Sequence, residues 1–248
     1  MPTTVRDGLT LHYDSRGDGP AVILHHGLVA DARGWDMIGL PDALAAAGAR
    51  CIALDAAGHG RSDPALGERV GLAARAADVL AVADACGVED FHYVGYSMGA
   101  WIGTGLARMA TGRVRSMLLS GWDPVDGTRR FTRLTETAAR NEEFLGVIRA
   151  LTEGVGRKLP APERIEGYIA TYERLFTELP SIAYINGLSF PLMMAVGRDD
   201  AYAETVEYAC ESLDVKCELL SGDHVTAFFD PAYAQAITQW IAARISGD

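Results

Sequence analysis

Short apolar runs, none longer than a buried strand needs, recur along this chain and alternate with segments of helical periodicity. Ala21-Val22-Ile23-Leu24-His25 and Cys51-Ile52-Ala53-Leu54 are continuous rather than alternating, as strands buried on both faces are. Between them, Trp35 through Ala47 reads as a helix closed by Gly48, and Val70 to Cys86 as a long alanine-rich helix closed by Gly87. A strand at 91–94, a helix from Met98 to about Met109 and a strand at Val114–Leu119 follow. Leu9-Thr10-Leu11-His12-Tyr13 alternates like a half-exposed strand before all of these. A β-α-β-α-β-α-β order calls for right-handed crossovers, a mostly parallel sheet and helices on both of its faces, a doubly wound α/β architecture.

The rhythm breaks at Gly121-Trp122-Asp123-Pro124. From about Thr128 to Leu179 the pattern holds two or three helical segments, interrupted by Pro160 and Pro162, and no strand. Strands resume at Pro191–Val196 and Val215–Leu219, with helices at about 204–213 and 231–245. Residues 1–122 and 190–248 therefore read as one core, and residues 123–189 as a helical insertion.

The richest local signal is Gly95-Tyr96-Ser97-Met98-Gly99, placed between the strand at 91–94 and the helix from Met98. In so tight a strand-to-helix turn the flanking glycines remove side chains that would strike neighbouring backbone, and the serine is forced outward. Its hydroxyl then lies beside a helix N-terminus, whose free N–H groups favour developing negative charge.

A serine used as a nucleophile needs a base and an acid to orient that base. The chain holds six histidines. In open α/β sheets, functional groups gather beyond the carboxyl ends of strands, and this filter selects among them. His12 and His92 fall inside strands. His224, in Ser221-Gly222-Asp223-His224-Val225, follows the strand at 215–219 and is the expected base. Gly197-Arg198-Asp199-Asp200, after the strand at 191–196, offers two carboxylates, and either could be the acid on composition alone. His25, at a strand end, receives no role from the pattern.

Composition narrows the partners. The 248 residues carry 22 Lys and Arg against 33 Asp and Glu, a formal net charge of −11, which argues against nucleic acid or an anionic membrane surface. No apolar run approaches the roughly 18 residues of a membrane span, and the N-terminus lacks a signal-peptide core, so a cytoplasmic location is expected. Cys51, Cys86, Cys210 and Cys217 show no C-x-x-C spacing; Cys51 and Cys86 read as core thiols, and Cys210 and Cys217 as neighbours across a helix–strand connection with no disulfide expected. No metal-ligand cluster, Walker-type loop or dinucleotide fingerprint is present, so neither metal nor cofactor is expected. The arginines of the insertion, Arg129, Arg130, Arg133, Arg140 and Arg149, alternate with acids and read as a solvated face.

Taken in order, these motifs resemble those of the α/β-hydrolase superfamily, in its compact form with a small helical cap. His26-Gly27 is similar to that family's H-G oxyanion loop, and Asp55-Ala56-Ala57-Gly58-His59-Gly60-Arg61-Ser62 to its D-x-x-G-x-G-x-S loop. The Ser, Asp, His order along the chain is the one this fold uses. The resemblance spans essentially the whole length and implies several assignments. The family's G-x-x-D pattern puts the acid at Asp200, not Asp199; some members instead carry it at the earlier strand end, here Asp123. The oxyanion donors would be the backbone N–H groups of Met98 and Leu28. His26, His59 and Arg61 would brace loops, and Trp122 and Val225 would line the site.

The reaction implied is hydrolysis of an ester or related small acyl compound through Ser97, His224 and Asp200. Haloalkane dehalogenases and epoxide hydrolases of this superfamily attack with aspartate, and the serine here argues against both. Carbon–carbon bond hydrolases commonly place tryptophan after the histidine, where this chain has Val225. Lactonase, thioesterase, amidase and perhydrolase chemistry on the same residues, and a ligand receptor built on the scaffold, are the alternatives.

Overall fold

The computed structural model describes residues 2–125, 127, 137–154, 159–178, 185 and 187–246. Eight strands form one sheet: β1 (Thr3–Arg6), β2 (Leu9–Arg16), β3 (Ala21–His25), β4 (Arg50–Leu54), β5 (Phe91–Tyr96), β6 (Val114–Ser120), β7 (Leu192–Gly197) and β8 (Lys216–Leu220). Their spatial order is β1-β2-β4-β3-β5-β6-β7-β8. The pairs β1–β2 and β2–β4 are antiparallel, and every other neighbouring pair is parallel.

Side chains alternate across each strand, so the apolar runs feed two cores at once. Ile23, Ile52, Tyr93, Met117, Leu119, Met194 and Val196 enter the core on one face, with α3 (Leu72–Ala85) and α4 (Met98–Met109). Val22, Leu24, Cys51, Ala53, Val94, Leu118, Met193 and Ala195 enter the core on the other. That face is covered by α1 (Arg33–Met37), α2 (Leu40–Ala46) and the C-terminal α8 (Pro231–Ile245). Further helices are α5 (Thr137–Gly154) and α6 (Pro162–Thr177), both between β6 and β7, and α7 (Ala203–Leu213).

The chain leaves β3 toward β4 on one side and returns to β5 on the other. The loops after β3 and β5 therefore diverge from adjacent strands and leave a crevice between them, where α/β sheets place ligands.

Three local expectations needed correction. The helix expected over 35–47 is two helices, because Gly39 adopts a left-handed φ of 67° and Pro41 opens α2 in its first turn. The long helix starts at Leu72, after a short 3-10 turn at Gly67–Val70 and an extended Gly71. The edge strand β1, which sequence patterning passed over, pairs with β2. Within residues 123–189, the described residues include the helices α5 and α6 and no strand; Arg129, Arg130 and Arg133 lie outside the described residues, as does the side chain of Arg140, and Arg149 is exposed. Pro162 sits in the first turn of α6, where a missing N–H costs nothing.

Candidate active site

β5 delivers Ser97 to the crevice in a conformation that few residues adopt, with φ 53° and ψ −112°. Its neighbours explain how the turn closes. A Cβ on Gly95 would run into the carbonyl of Gly99, and one on Gly99 would run into the carbonyl of His25. Strand β5, helix α4 and the end of β3 are thus in backbone contact, which only glycine permits at these two positions. The Ser97 N–H is satisfied by the Ser120 carbonyl at 2.7 Å, and the Tyr93 hydroxyl donates to the Gly99 carbonyl at 2.7 Å. Helix α4 begins at Met98, so its N–H is among the four that a helix start leaves without an intrahelical partner.

Facing the serine is the loop after β3. A Cβ on Gly27 would lie 3.4 Å from Ser97 Cβ and 3.9 Å from its Oγ, so Gly27 packs beside the serine. The Ala30 N–H closes a turn onto the Gly27 carbonyl at 3.2 Å, with Val29 at a φ of 67°. Asp55 braces this turn from outside. Its buried carboxylate accepts from the Ala32 N–H at 2.9 Å and from the backbone and side chain of Arg61, both at 3.0 Å. His26 Nε2 accepts from the Ala56 N–H at 3.0 Å, so Nδ1 carries the proton and donates to the Gly27 carbonyl at 2.7 Å. His26 and Arg61 accordingly tie loops together, and His59 is fully buried, 4.6 Å from the Tyr168 ring of α6.

Beyond the ends of β7 and β8, two loops run side by side, joined by Arg198 N–H to Leu220 carbonyl and Asp199 N–H to Gly222 carbonyl. From them come His224 and Asp200. His224 Nε2 lies 2.9 Å from Ser97 Oγ, and its Nδ1 lies 2.8 Å from Asp200 Oδ2. The Asp200 side chain is wholly buried, and its other oxygen accepts from the Tyr202 N–H at 3.0 Å, which fixes the rotamer. Asp199 is exposed, and Asp123 is buried with its carboxylate turned back onto the Val125 N–H at 2.8 Å. In this arrangement an imidazole protonated at Nδ1 can accept the serine proton at Nε2 while a carboxylate holds the tautomer.

Trp122 is buried, with its ring 5.6 Å from Tyr202, which in turn lies 5.8 Å from His224. Val225 is 44% exposed beside the histidine. His25, to which the sequence gave no role, proves to be a core residue. Burial, reinforced by the adjacent His26 ring, holds its pKa well below the usual histidine value. Its Nδ1 lies 3.1 Å from the His26 carbonyl. Two residues that sequence reasoning passed over also bear on the site: Tyr96, whose hydroxyl reaches the His224 carbonyl, and Tyr202, packed between Trp122 and His224. Among the described residues no group of three or more His, Cys, Asp and Glu side chains is placed to hold a metal ion, and no helix is long and apolar enough to cross a membrane.

Comparison with known proteins agrees with this architecture. Residues 20–164 match the family model described as alpha/beta hydrolase fold. RutD of Azorhizobium caulinodans, which carries the name of a carbamate hydrolase, is 37% identical over 131 residues, 52% of this chain and 48% of that protein. A 2-hydroxy-6-oxononadienedioate/2-hydroxy-6-oxononatrienedioate hydrolase of Paraburkholderia phymatum is 27% identical over 220 residues, 78% of this chain and 76% of its own. The first curated relatives are matched over about half of their length or less. Among solved structures, a carboxylesterase of Nitrososphaera gargenis superposes with a TM-score of 0.80 at 20% identity, covering 99% of each chain, a likeness of fold. The chain belongs to the alpha/beta hydrolase fold family.

Proposed function

We propose that this protein is a serine hydrolase that cleaves an ester or related small acyl compound. The observation that carries the reading is the unbroken line from Ser97 Oγ through His224 to the buried Asp200, at 2.9 and 2.8 Å. Ser97 attacks the acyl carbon while His224 Nε2 takes the hydroxyl proton; Asp200 holds the ring and stabilises the imidazolium. The negative charge formed on the carbonyl oxygen is received by the N–H groups of Leu28 and Met98. Each such donor contributes about 2.7–4 kcal/mol to transition-state stabilisation. His224 then protonates the leaving alcohol, and an acyl-enzyme remains on Ser97. Water, deprotonated by the same nitrogen, releases the acid and restores the serine.

In this reading residues 123–189 form a cap over the crevice. Leu28 and Val29 of the oxyanion turn pack against Phe144 and Ile148 of α5 and Tyr168 of α6, which supports an apolar roof above the nucleophile. Trp122 and Val225 flank the substrate on the histidine side.

The test is turnover of p-nitrophenyl acetate and butyrate. Ser97→Ala is expected to lower kcat by at least about 10⁴-fold with folding unchanged. A fluorophosphonate probe is expected to label Ser97 in the native protein and to label His224→Ala far more slowly. Labelling at another residue with Ser97 inert would overturn the assignment. Carbon–carbon bond hydrolysis is the second reading, favoured by the Paraburkholderia relative; faster turnover of a dienedioate ring-cleavage product than of either ester would select it.

A further inference from the structure

The histidine and the serine reach each other from strands that are not neighbours. β6 and β7 lie between β5 and β8, so the strands that carry Ser97 and His224 are about 14 Å apart at a spacing of 4.8 Å. The loop after β8 must fold back across the ends of two strands, and His224 remains partly exposed at its tip, with a side-chain exposure of 37%. The downstream side of the loop is organised locally: Asp223 accepts from the N–H groups of Val225 and Thr226 at 3.0 and 2.9 Å. Neither bond sets the distance between the imidazole and β5.

Besides the Ser97–His224 contact itself, one bond joins the end of β5 to the histidine loop. Tyr96 is the last residue of β5, and alternation along the strand directs its ring into the core shared with α8, under the histidine loop. Its hydroxyl donates to the His224 carbonyl at 2.8 Å. The ring itself is fixed edge-on against Phe228, at 5.0 Å, and Tyr233, at 5.6 Å, and only 5% of the residue is exposed. A phenol held this firmly defines a point in space rather than an average. Gly121, at the end of the intervening β6, completes the arrangement. A Cβ there would lie 3.2 Å from His224 Cε1 and 3.3 Å from Tyr96 Cζ, so the missing side chain leaves the slot in which the two rings meet.

We propose that Tyr96 is a positioning residue: its hydroxyl, by holding the His224 main chain, fixes Nε2 within hydrogen-bond reach of Ser97. This rests on the proposed roles of Ser97 and His224. It assigns a function to the side chain before the nucleophile, which the turn itself leaves free to vary. Tyr96 sits next to Ser97 in the chain, so nucleophile and base are referenced to a single residue pair at the end of β5.

Tyr96→Phe keeps the ring and removes only the donor. Two readouts separate positioning from simple stability: the rate of fluorophosphonate labelling at Ser97, and the His224 Nδ1–H resonance of protein made with ¹⁵N-histidine. Labelling is expected to slow at least tenfold, at a melting temperature within a few degrees of wild type, while the Nδ1 proton exchanges with water at least tenfold faster. Labelling and exchange both within twofold of wild type would overturn the proposal. Slower labelling with an unchanged Nδ1–H resonance would also overturn it, since Tyr96 would then act by another route. If wild-type Ser97 fails to label but the resonance is still lost in Tyr96→Phe, the proposed role of Ser97 falls and the positioning of His224 stands.

Discussion

The hydroxyl oxygen of Thr171, on α6, accepts a 2.6 Å hydrogen bond from the guanidinium of Arg75, on α3, and both side chains are buried. The Thr171 hydroxyl in turn donates a hydrogen bond to the Gly167 carbonyl one turn back, and the rest of the Arg75 fork donates to the carbonyls of Ala57 and Val70. Among the described residues this buried cation donates its hydrogen bonds to neutral oxygens, which is costly, and burial, offset in part by the charge of Asp78, pushes the Arg75 pKa down to about 10. This guanidinium fastens α6 onto the core beside the Asp55 loop.

Removing one acceptor should therefore cost more than its size suggests. Thr171→Val is expected to destabilise the protein by about 1–3 kcal/mol, because a buried N–H of a cation loses its partner. Thr171→Ser, which keeps the hydroxyl, should cost less than half as much. Urea unfolding of the two variants checks this; equal losses would show that the hydroxyl is not what matters.

Of the three aspartates that the sequence offers as the acid, only Asp200 touches the histidine. Asp200→Asn is expected to lower kcat by about 10³–10⁴-fold, since an amide favours the wrong imidazole tautomer. Asp199→Asn, altering an exposed side chain, should leave kcat within about threefold. Asp123→Asn should affect stability before turnover, given that its carboxylate caps Val125. Steady-state kinetics on all three give the ranking, and a dominant loss at Asp123 would reassign the acid.

Two glycines in helices should respond in opposite directions to alanine. At Gly99 the new methyl meets the His25 carbonyl, a backbone atom that cannot rotate away, and a loss of about 3 kcal/mol or more is expected. At Gly146, exposed on α5 with open space around it, alanine should stabilise by about 0.5–1 kcal/mol through helix propensity. Thermal melts of the two single variants read the sign directly.

Stability should fall on mild acidification. His25, His26 and His59 are buried, and desolvation holds all three below the ordinary histidine pKa. As pH drops through about 6.5 the unfolded chain takes up protons that the folded protein refuses, so unfolding becomes easier. Each histidine contributes up to about 1.4 kcal/mol per pH unit below that point. The carboxylates of Asp63, Asp223 and Asp230, lowered by backbone N–H donors, titrate at more acidic pH than this window. Denaturant unfolding at pH 7.5 and 5.5 should show the drop, and equal stability at both would contradict it.

The sheet was readable from sequence because continuous apolar runs have few alternatives once the turns between them are short. What escaped was set by single residues or by contacts across the fold. The Asp7-Gly8 pair, both at positive φ, makes the tight hairpin that pairs β1 with β2, and an Asp-Gly step is a signal that could have revealed it. Pro41 could likewise have divided the helix expected over 35–47. At the site, Ser97, Asp200 and His224 were legible because glycine loops announce strand ends. Tyr96 was not, since strand alternation gives the face of a side chain but not which loop returns above it. His25 stayed obscure for the same reason: a strand-end histidine and a core histidine look alike until Gly99 is seen packed against its carbonyl.

The hydrogen bond between Ser97 and His224 joins residues 127 positions apart, and it needs β8 in place beside β7. During synthesis the serine elbow emerges from the ribosome long before its base does. A nascent chain ending before β8 would hold the turn, the glycines and the helix start, yet its serine would be no more reactive than any other hydroxyl. On the proposed mechanism, acquisition of serine reactivity is therefore a chemical timestamp for the last strand docking, and the serine is spared acylation by substrate until that strand is in place.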